Sequence, residues 1–249
     1  MPPMKWRSHL SIGKAIADSL QLQQGERKAF LDGMVEPDRH GERVNGPVHS
    51  YRVSHHRPAQ RIIMLHVWTA RRSFLRNDTY LGFWHLGMAL HYIQDKSTSK
   101  GFLGLSHERR EERLAKLPVP FKAIEKGLNR YVSSPEFVKR SISRTRPKKN
   151  LQAIMVQASF RSAAVTAAVL DTGQLDRIQG DYSAARRKHA MVYVPLVIGS
   201  LAVGSSLALA WNSPFPALII IPLVLFAMVL DRPYRRLNRL AKWNGLRRH

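Results

Sequence analysis

The 249-residue chain contains no cysteine and few acidic residues. The absence of cysteine excludes a disulfide scaffold and any zinc or iron–sulfur site that uses thiolate ligands. Asp and Glu together number 17 against 40 Lys and Arg, which gives a formal net charge of +23. Because 44% of the residues are hydrophobic, the chain is not a wholly disordered basic tail. We therefore expect a packed core and an attraction to anionic partners.

Charge is missing altogether from Ala190 to Leu230. Within this stretch Met191–Trp211 supplies 21 mostly apolar residues, close to the roughly 20 that a membrane-spanning helix needs. Asn212–Pro216 reads as a turn, and residues 215–230 supply a second, shorter span. Three Lys or Arg residues directly precede the uncharged stretch and seven follow it, so the positive-inside rule places both chain ends in the cytoplasm. A buried helical hairpin in a soluble core is the alternative.

The uneven charge predicts three regions. We expect a soluble domain over residues 1–185 on the cytoplasmic side, a two-helix transmembrane hairpin over 190–230, and a basic amphipathic tail over 231–249. The tail carries apolar residues at helical spacing among its arginines: Tyr234, Leu237, Leu240 and Trp243. This pattern is typical of a helix that lies in an anionic headgroup layer, and a flexible polybasic tail is the alternative.

The soluble region reads as an all-α fold, because apolar residues recur at helical spacing and no alternating strand pattern occurs. Helices are predicted around residues 12–20, from Pro58 onwards, and over 80–96, 106–116, 121–132, 135–145 and 150–170. Residues 32–57 contain three glycines, two prolines and four histidines, which is the composition of a loop. On the helix after Pro58 we expect His66 to be a hydrogen-bonded core residue, and Arg71 and Arg72 to lie on a solvated face. Phosphate binding by these two arginines is the alternative.

Histidines are concentrated in this region, since nine of the eleven fall within the first 107 residues. His91 and Asp95 are four residues apart on one predicted helix, so their side chains share a face and can meet one cation. His107 and Glu111 repeat this spacing. Imidazole and carboxylate ligands suit zinc, and a site without thiolates is more typical of catalytic than of structural zinc. For each pair taken alone, a solvated helix face is the alternative.

The segment LGMALHYIQD, residues 86–95, resembles the central helix of the zinc-dependent phospholipase C family. The same superfamily includes the zinc-dependent single-strand nucleases of fungi and plants. The resemblance covers about residues 5–112 and implies an all-α bundle with two or three clustered Zn²⁺ ions. It implies these metal ligands: Trp6, His9, Asp38, one of His55 and His56, His91, Asp95, His107 and Glu111. It also implies that Asp95 bridges two metals, and Asp38 or Glu36 could orient the attacking water.

The chain departs from the family pattern at two positions. The family uses the amino group of an N-terminal Trp as a ligand, whereas Trp6 is internal, so only its carbonyl could serve unless five residues are removed. Gly101 stands where the family has a further histidine. One zinc is therefore missing, or it is bound by His40, His49 or His85.

The resemblance and the predicted anchor together imply a metal-dependent phosphoric ester hydrolase. Its substrate is expected to be a membrane phospholipid or a phosphorylated lipid intermediate, cleaved by metal-activated water in the manner of a phospholipase C or a phosphatase. Its partners are then the lipid substrate and the anionic membrane surface. The first alternative is a membrane-tethered zinc nuclease that stacks bases on Trp84, Tyr51 or Tyr92. The second is a non-catalytic, basic, membrane-tethered binding protein.

Overall fold

The computed structural model describes residues 7–41, 43–45, 50–52, 59–98, 112–173, 175–212, 215 and 217–247. The chain divides into two compact units, Met1–Thr172 and Gly173–His249. This boundary lies earlier than residue 185, where the charge pattern placed the end of the soluble domain. The reason is that the helix Leu175–Lys188 packs against the C-terminal helix of the second unit.

The described elements of the first unit are helices, one short β ladder and an isolated β-bridge between Thr98 and Lys148. Its elements with described bounds are α1 (Arg7–Ser19), α2 (Gln24–His40), β1 (Arg43–Asn45), β2 (Ser50–Arg52), α3 (Gln60–Leu75), α4 (Thr79–Ser97), α5 (Phe121–Asn129), α6 (Pro135–Arg144) and α7 (Leu151–Leu170). The two strands pair antiparallel, with Arg43 opposite Arg52. The expected all-α class is confirmed.

Several predicted helices match the observed ones within a few residues because their first turns carry local capping signals. The side chains of Asp78, Ser134 and Asn150 each accept a hydrogen bond from the backbone N–H three residues further on, at the starts of α4, α6 and α7. Each cap satisfies one of the N–H groups that a helix leaves unpaired at its start. Helix α6 also has Pro135 in its first turn, where the missing N–H is tolerated.

The loop predicted over residues 32–57 is wrong for its first nine residues, which belong to α2. The prediction rested on Gly33 and Pro37, and both are inside the helix. Pro37 lies in the last turn but one, where α2 tolerates the loss of one backbone hydrogen bond. Gly33 is required by packing: a Cβ built there would lie 2.0 Å from the carbonyl oxygen of Trp84 on α4. The two helices therefore touch through their backbones at this point.

Helices α4 and α7 supply much of the core, and α4 packs against α2, α3 and α7. His66 of α3 is buried and its Nδ1 lies 3.1 Å from Nδ1 of His85, as expected of a hydrogen-bonded core histidine. The solvated face expected for Arg71 is wrong, because this side chain is buried. Its guanidinium donates hydrogen bonds of 2.7 and 2.9 Å to the carbonyl oxygens of Val169 and Asp171, at the C-terminus of α7. The carbonyl of Val169 is among the last four of α7, which have no acceptor role within the helix, so the arginine caps the helix end.

The second unit contains α8 (Leu175–Lys188), a π-helical segment (His189–Tyr193), α9 (Val194–Ala210), α10 (Ala217–Leu230) and α11 (Arg232–Trp243). Helix α8, the π-helical segment and α9 run on as one helix of 36 residues. Helices α9 and α10 pack closely at Gly204, where a Cβ would lie 2.2 Å from Cδ1 of Ile220. Of the residues expected to form the basic tail, Arg232–Trp243 are helical, and Trp243 at the end of this helix is buried.

Two described helices are long and apolar enough to cross a membrane, judged by length and composition. One is α7, of which 61% of the apolar window is buried, as befits a core helix of the first unit. The other is Leu175–Ala210, of which only 6% of the apolar window is buried. Helix α10 is apolar but shorter. The second unit therefore exposes a large apolar surface that its own fold does not cover.

Candidate metal centre

Four of the predicted ligands meet at one point in the first unit: His9 on the first turn of α1, Asp38 on the last turn of α2, and His91 and Asp95 on α4. Nε2 of His91 lies 3.3 Å from Oδ2 of Asp95 and 3.6 Å from Oδ1 of Asp38. Nε2 of His9 lies 3.3 Å from Oδ1 of Asp95. The ligand atoms of His9, Asp38 and His91 all lie within 4.8 Å of one another.

Hydrogen bonds on the far side of each imidazole determine which nitrogen faces this point. Nδ1 of His91 lies 2.8 Å from the carbonyl oxygen of Met34, and Nδ1 of His9 lies 2.8 Å from Oε1 of Gln94. Both oxygens only accept, so each Nδ1 carries a proton and donates. In the neutral imidazole the Nε2 lone pair is then free to bind a cation. This arrangement, with the second ring nitrogen held by a carbonyl group, is typical of metal-binding histidines.

Burial makes the charges at this point strongly interdependent. Burial alone would lower the pKa of His9, but its hydrogen bond with Asp95 and the charges of Asp95 and Asp38 raise the pKa to about 9. Burial alone would raise the pKa of Asp95, but the charge of His91 and the hydrogen bond with His9 outweigh it and hold that pKa well below its usual range. The site therefore keeps a carboxylate ionised in the interior and attracts positive charge, whether a proton or a metal ion.

The two oxygens of Asp95 face different histidines, Oδ1 towards His9 and Oδ2 towards His91. A carboxylate placed in this way can bridge two cations. Within the described part of the chain, the buried Nε2 of His91 makes no hydrogen bond of good geometry, although carboxylate oxygens of Asp95 and Asp38 lie 3.3 and 3.6 Å away. A cation between these atoms would satisfy all of them. Two imidazole nitrogens and two carboxylates, without thiolates, form a donor set that fits Zn²⁺ and other first-row divalent ions.

The close contact of α2 and α4 brings Asp38 to the two α4 ligands. A Cβ at Gly33 would clash with the backbone of α4, and a Cβ at Gly87 would lie 2.3 Å from the carbonyl oxygen of Phe30 on α2. Glycines thus face each other across the two helices and allow them to approach at backbone distance. The same contact places the Met34 carbonyl against His91.

The other predicted ligands, namely Trp6, His55, His56, His107 and Glu111, lie outside the described residues. The structure therefore places four of the nine proposed ligands together. It also changes the setting of Asp38, which was expected in a loop and lies on a helix.

Two of the three histidines considered as substitutes for the missing family histidine are engaged elsewhere. Nδ1 of His40 lies 2.7 Å from Oε1 of Glu36 on the exposed end of α2. His85 is paired with His66 between α3 and α4. His49, the third, lies outside the described residues.

Sequence reasoning missed Gln94, a buried residue that links the site to the core. Its Oε1 accepts from His9, while its Nε2 donates to Oγ of Ser162 on α7 over 3.2 Å. Gln94 thus holds α1, α4 and α7 together and fixes the orientation of one ligand. The only signal in the sequence was a single amide side chain between the predicted ligands His91 and Asp95.

No family model matches the chain, and no curated protein or solved structure is significantly similar to it.

Proposed function

We propose that the chain is a zinc-dependent phosphoesterase that hydrolyses a membrane phospholipid or a phosphorylated lipid. The observation that carries this proposal is the convergence of His9, Asp38, His91 and Asp95 on one buried point, with both imidazoles oriented for cation binding. These are the same positions that the LGMALHYIQD resemblance implies as ligands. A fold of the zinc phospholipase C type is part of the proposal.

The chain's own residues supply binding and orientation. A cation that displaces the proton of His9 would meet the Nε2 atoms of His9 and His91, and Asp95 presents one oxygen to each side. A divalent ion held there would polarise a phosphoryl group and lower the pKa of a water molecule. Asp38 is less buried than the other three ligands, and we assign to its carboxylate the role of orienting the attacking water. The carboxylate of Glu36 already interacts with His40, which favours Asp38 for this role.

The second unit supports a lipid substrate over a soluble one. The exposed apolar surface of Leu175–Ala210 and of α10 suits two membrane spans, with both chain ends and the catalytic domain on the cytoplasmic side. Residues 173–249 carry eleven Lys and Arg against three Asp, which favours attachment to anionic lipid. A catalytic site tethered to a bilayer meets lipid phosphates at a high effective concentration.

The net charge of +23 also favours the alternative of a nuclease, since it attracts a nucleic-acid backbone. Base stacking needs accessible aromatic rings. Tyr92 is only 1% exposed and offers no open face. Trp84 is partly exposed, and the side chain of Tyr51 lies outside the description. The burial of Tyr92 favours the lipid substrate.

The test combines metal analysis with a substrate panel on the full chain purified in detergent. We expect bound zinc, and hydrolysis of phospholipid or lipid phosphate that a chelator abolishes and acidification reduces. Asp38→Asn and Asp95→Asn should each lower the rate by about a hundredfold or more. The matched control is Asp32→Asn, on the same helix as Asp38, where the carboxylate pairs with Lys28 at the surface; it should leave the rate unchanged.

Two results would overturn the proposal. Protein that contains no divalent metal after mild purification, together with an active Asp95→Asn variant, would favour a non-catalytic binding protein. Activity on single-stranded DNA or RNA with none on lipid would favour the nuclease.

A further inference from the structure

A cleft with both polar and apolar lining residues lies in the second unit, well separated in sequence from the proposed metal ligands. Its volume is about 440 Å³, and its lining includes Gln179, Tyr182, Ser183, Arg186, Arg187 and Leu246. All but Leu246 belong to α8, where their spacing places them on one side of the helix. The neighbouring side of α8 packs on α11, partly through Tyr182, whose ring stacks on that of Tyr234 with the centroids 6.3 Å apart. The cleft therefore rests on a packed helix pair.

The charge of this cleft is positive and is not neutralised from within. Arg186 and Arg187 are exposed, and neither makes a hydrogen bond or an ion pair to any described residue. The closest acid on the same side of α8 is Asp176, ten residues before Arg186 and so roughly 15 Å away along the axis. Asp231 of α11 is already engaged, since its Oδ1 lies 2.6 Å from Nδ1 of His189 and its Oδ2 lies 3.6 Å from Nε of Arg235.

The position of Arg186 and Arg187 in the chain indicates which kind of anion the cleft would bind. They lie one turn before the uncharged stretch Ala190–Leu230, in the same continuous helix as the apolar segment that ends at Ala210. If that segment spans the bilayer, the two guanidinium groups come to the depth of the lipid phosphates. Ala190 and Leu246 also line the cleft and give its wall an apolar part beside the arginines. A cleft with a cationic part next to an apolar part is complementary to a phospholipid, whose charged headgroup is joined to apolar acyl chains.

We propose that this cleft binds the phosphate headgroup of an anionic phospholipid, in a site distinct from the metal centre. The proposal rests on the membrane association in the proposed function but not on the hydrolytic activity. Arginine is suited to this role because its planar guanidinium can donate two parallel hydrogen bonds to phosphate oxygens. The bound lipid would fix the depth and tilt of the helix that leads into the membrane.

The experiment titrates the full chain, in detergent, with short-chain phosphatidylglycerol, short-chain phosphatidylcholine and inorganic phosphate, and measures binding by calorimetry. We expect phosphatidylglycerol to bind at least about tenfold more tightly than the other two, and Arg186→Gln/Arg187→Gln to remove about tenfold of that affinity. The matched control is Arg177→Gln/Lys188→Gln, which removes the same charge from the opposite side of α8 and should change affinity by less than about twofold.

Each other outcome would overturn the proposal. Equal losses in the two double variants would mean a diffuse electrostatic attraction in place of a site. Equal affinity for the two lipids would remove the role of the headgroup charge, and equal affinity for inorganic phosphate would make the cleft a site for free phosphate. Zinc content and hydrolysis of a soluble phosphodiester should be unchanged in Arg186→Gln/Arg187→Gln. A failure of the headgroup site is thereby distinguished from a failure of the proposed enzyme.

Discussion

Replacing Gly33 by alanine tests whether the backbone contact between α2 and α4 holds the metal centre together. The new Cβ would lie 2.0 Å from the carbonyl oxygen of Trp84 and 2.8 Å from its carbonyl carbon. Both atoms belong to the backbone of α4 and cannot rotate away. The helices must therefore separate, and this movement carries Asp38 away from His91.

The expected magnitude follows from two opposing effects. Overpacking a well-packed core lowers the free energy of unfolding by about 1–3 kcal/mol, and here the clash is with backbone, which favours the upper end. Alanine in a helix interior gains up to about 1 kcal/mol over glycine. We therefore expect a net loss of about 2 kcal/mol, which corresponds to a fall of roughly 4–8 °C in Tm for a chain of this size. Zinc affinity should fall by about tenfold or more, because the groups that orient the ligands are displaced.

The assay is thermal unfolding of the full chain in detergent, with chelator and with added zinc, for Gly33→Ala and for Gly25→Ala. Gly25 lies in the first turn of the same helix, and a Cβ there meets nothing within 4 Å. Gly25→Ala should leave Tm unchanged or raise it slightly, with zinc affinity intact. If Gly33→Ala unfolds at the temperature of the unmodified chain and binds zinc equally well, the contact does not support the site and the reasoning is refuted.

Two further substitutions test the neighbourhood of the site and the core. Gln94→Leu removes the acceptor that orients His9, and should weaken zinc binding by about 10- to 100-fold, measured by competition with a chromophoric chelator. A loss of stability with unchanged zinc affinity would assign Gln94 to the core alone. Arg71→Met leaves the Val169 carbonyl without its buried donor, and should lower the free energy of unfolding by about 3 kcal/mol in urea titrations. Arg76→Met, at an exposed position after α3, is the control; similar losses in both would contradict the capping role of Arg71.

Much of the helical architecture could be predicted because its signals are local. Caps such as Asp78, Ser134 and Asn150 act within four residues, and the apolar periodicity of α4 is visible in the sequence itself. The uncharged stretch from Ala190 to Leu230 likewise predicts α9 and α10 from its composition alone. Residue types in a short window were sufficient for these features.

The α2 helix was not predicted, and its residues from Asp32 onwards were assigned to a loop, because its glycine serves a partner that is distant in the sequence. Gly33 reads as a loop residue by composition, yet it is needed only because Trp84 lies against it. The rule that glycine indicates a loop failed here, because packing against another helix determined the residue. Arg71 was misplaced for the same reason, since its acceptors are at the end of α7, about a hundred residues later.

The residues of the candidate site also fall into those with a local sequence signal and those set by tertiary packing. His91 and Asp95 follow from helical spacing alone, whereas His9 and Asp38 could be proposed only from the family resemblance, because they lie 82 and 53 residues before His91. The groups that orient the imidazoles, the Met34 carbonyl and Gln94, are set by helix packing and have no motif. The close contact of α2 with α4 at Gly33 also brings the Met34 carbonyl within hydrogen-bond distance of His91. The α2–α4 contact therefore both packs the core and orients the ligands. A substitution that weakens this contact should lower the stability of the fold and the affinity for the metal together.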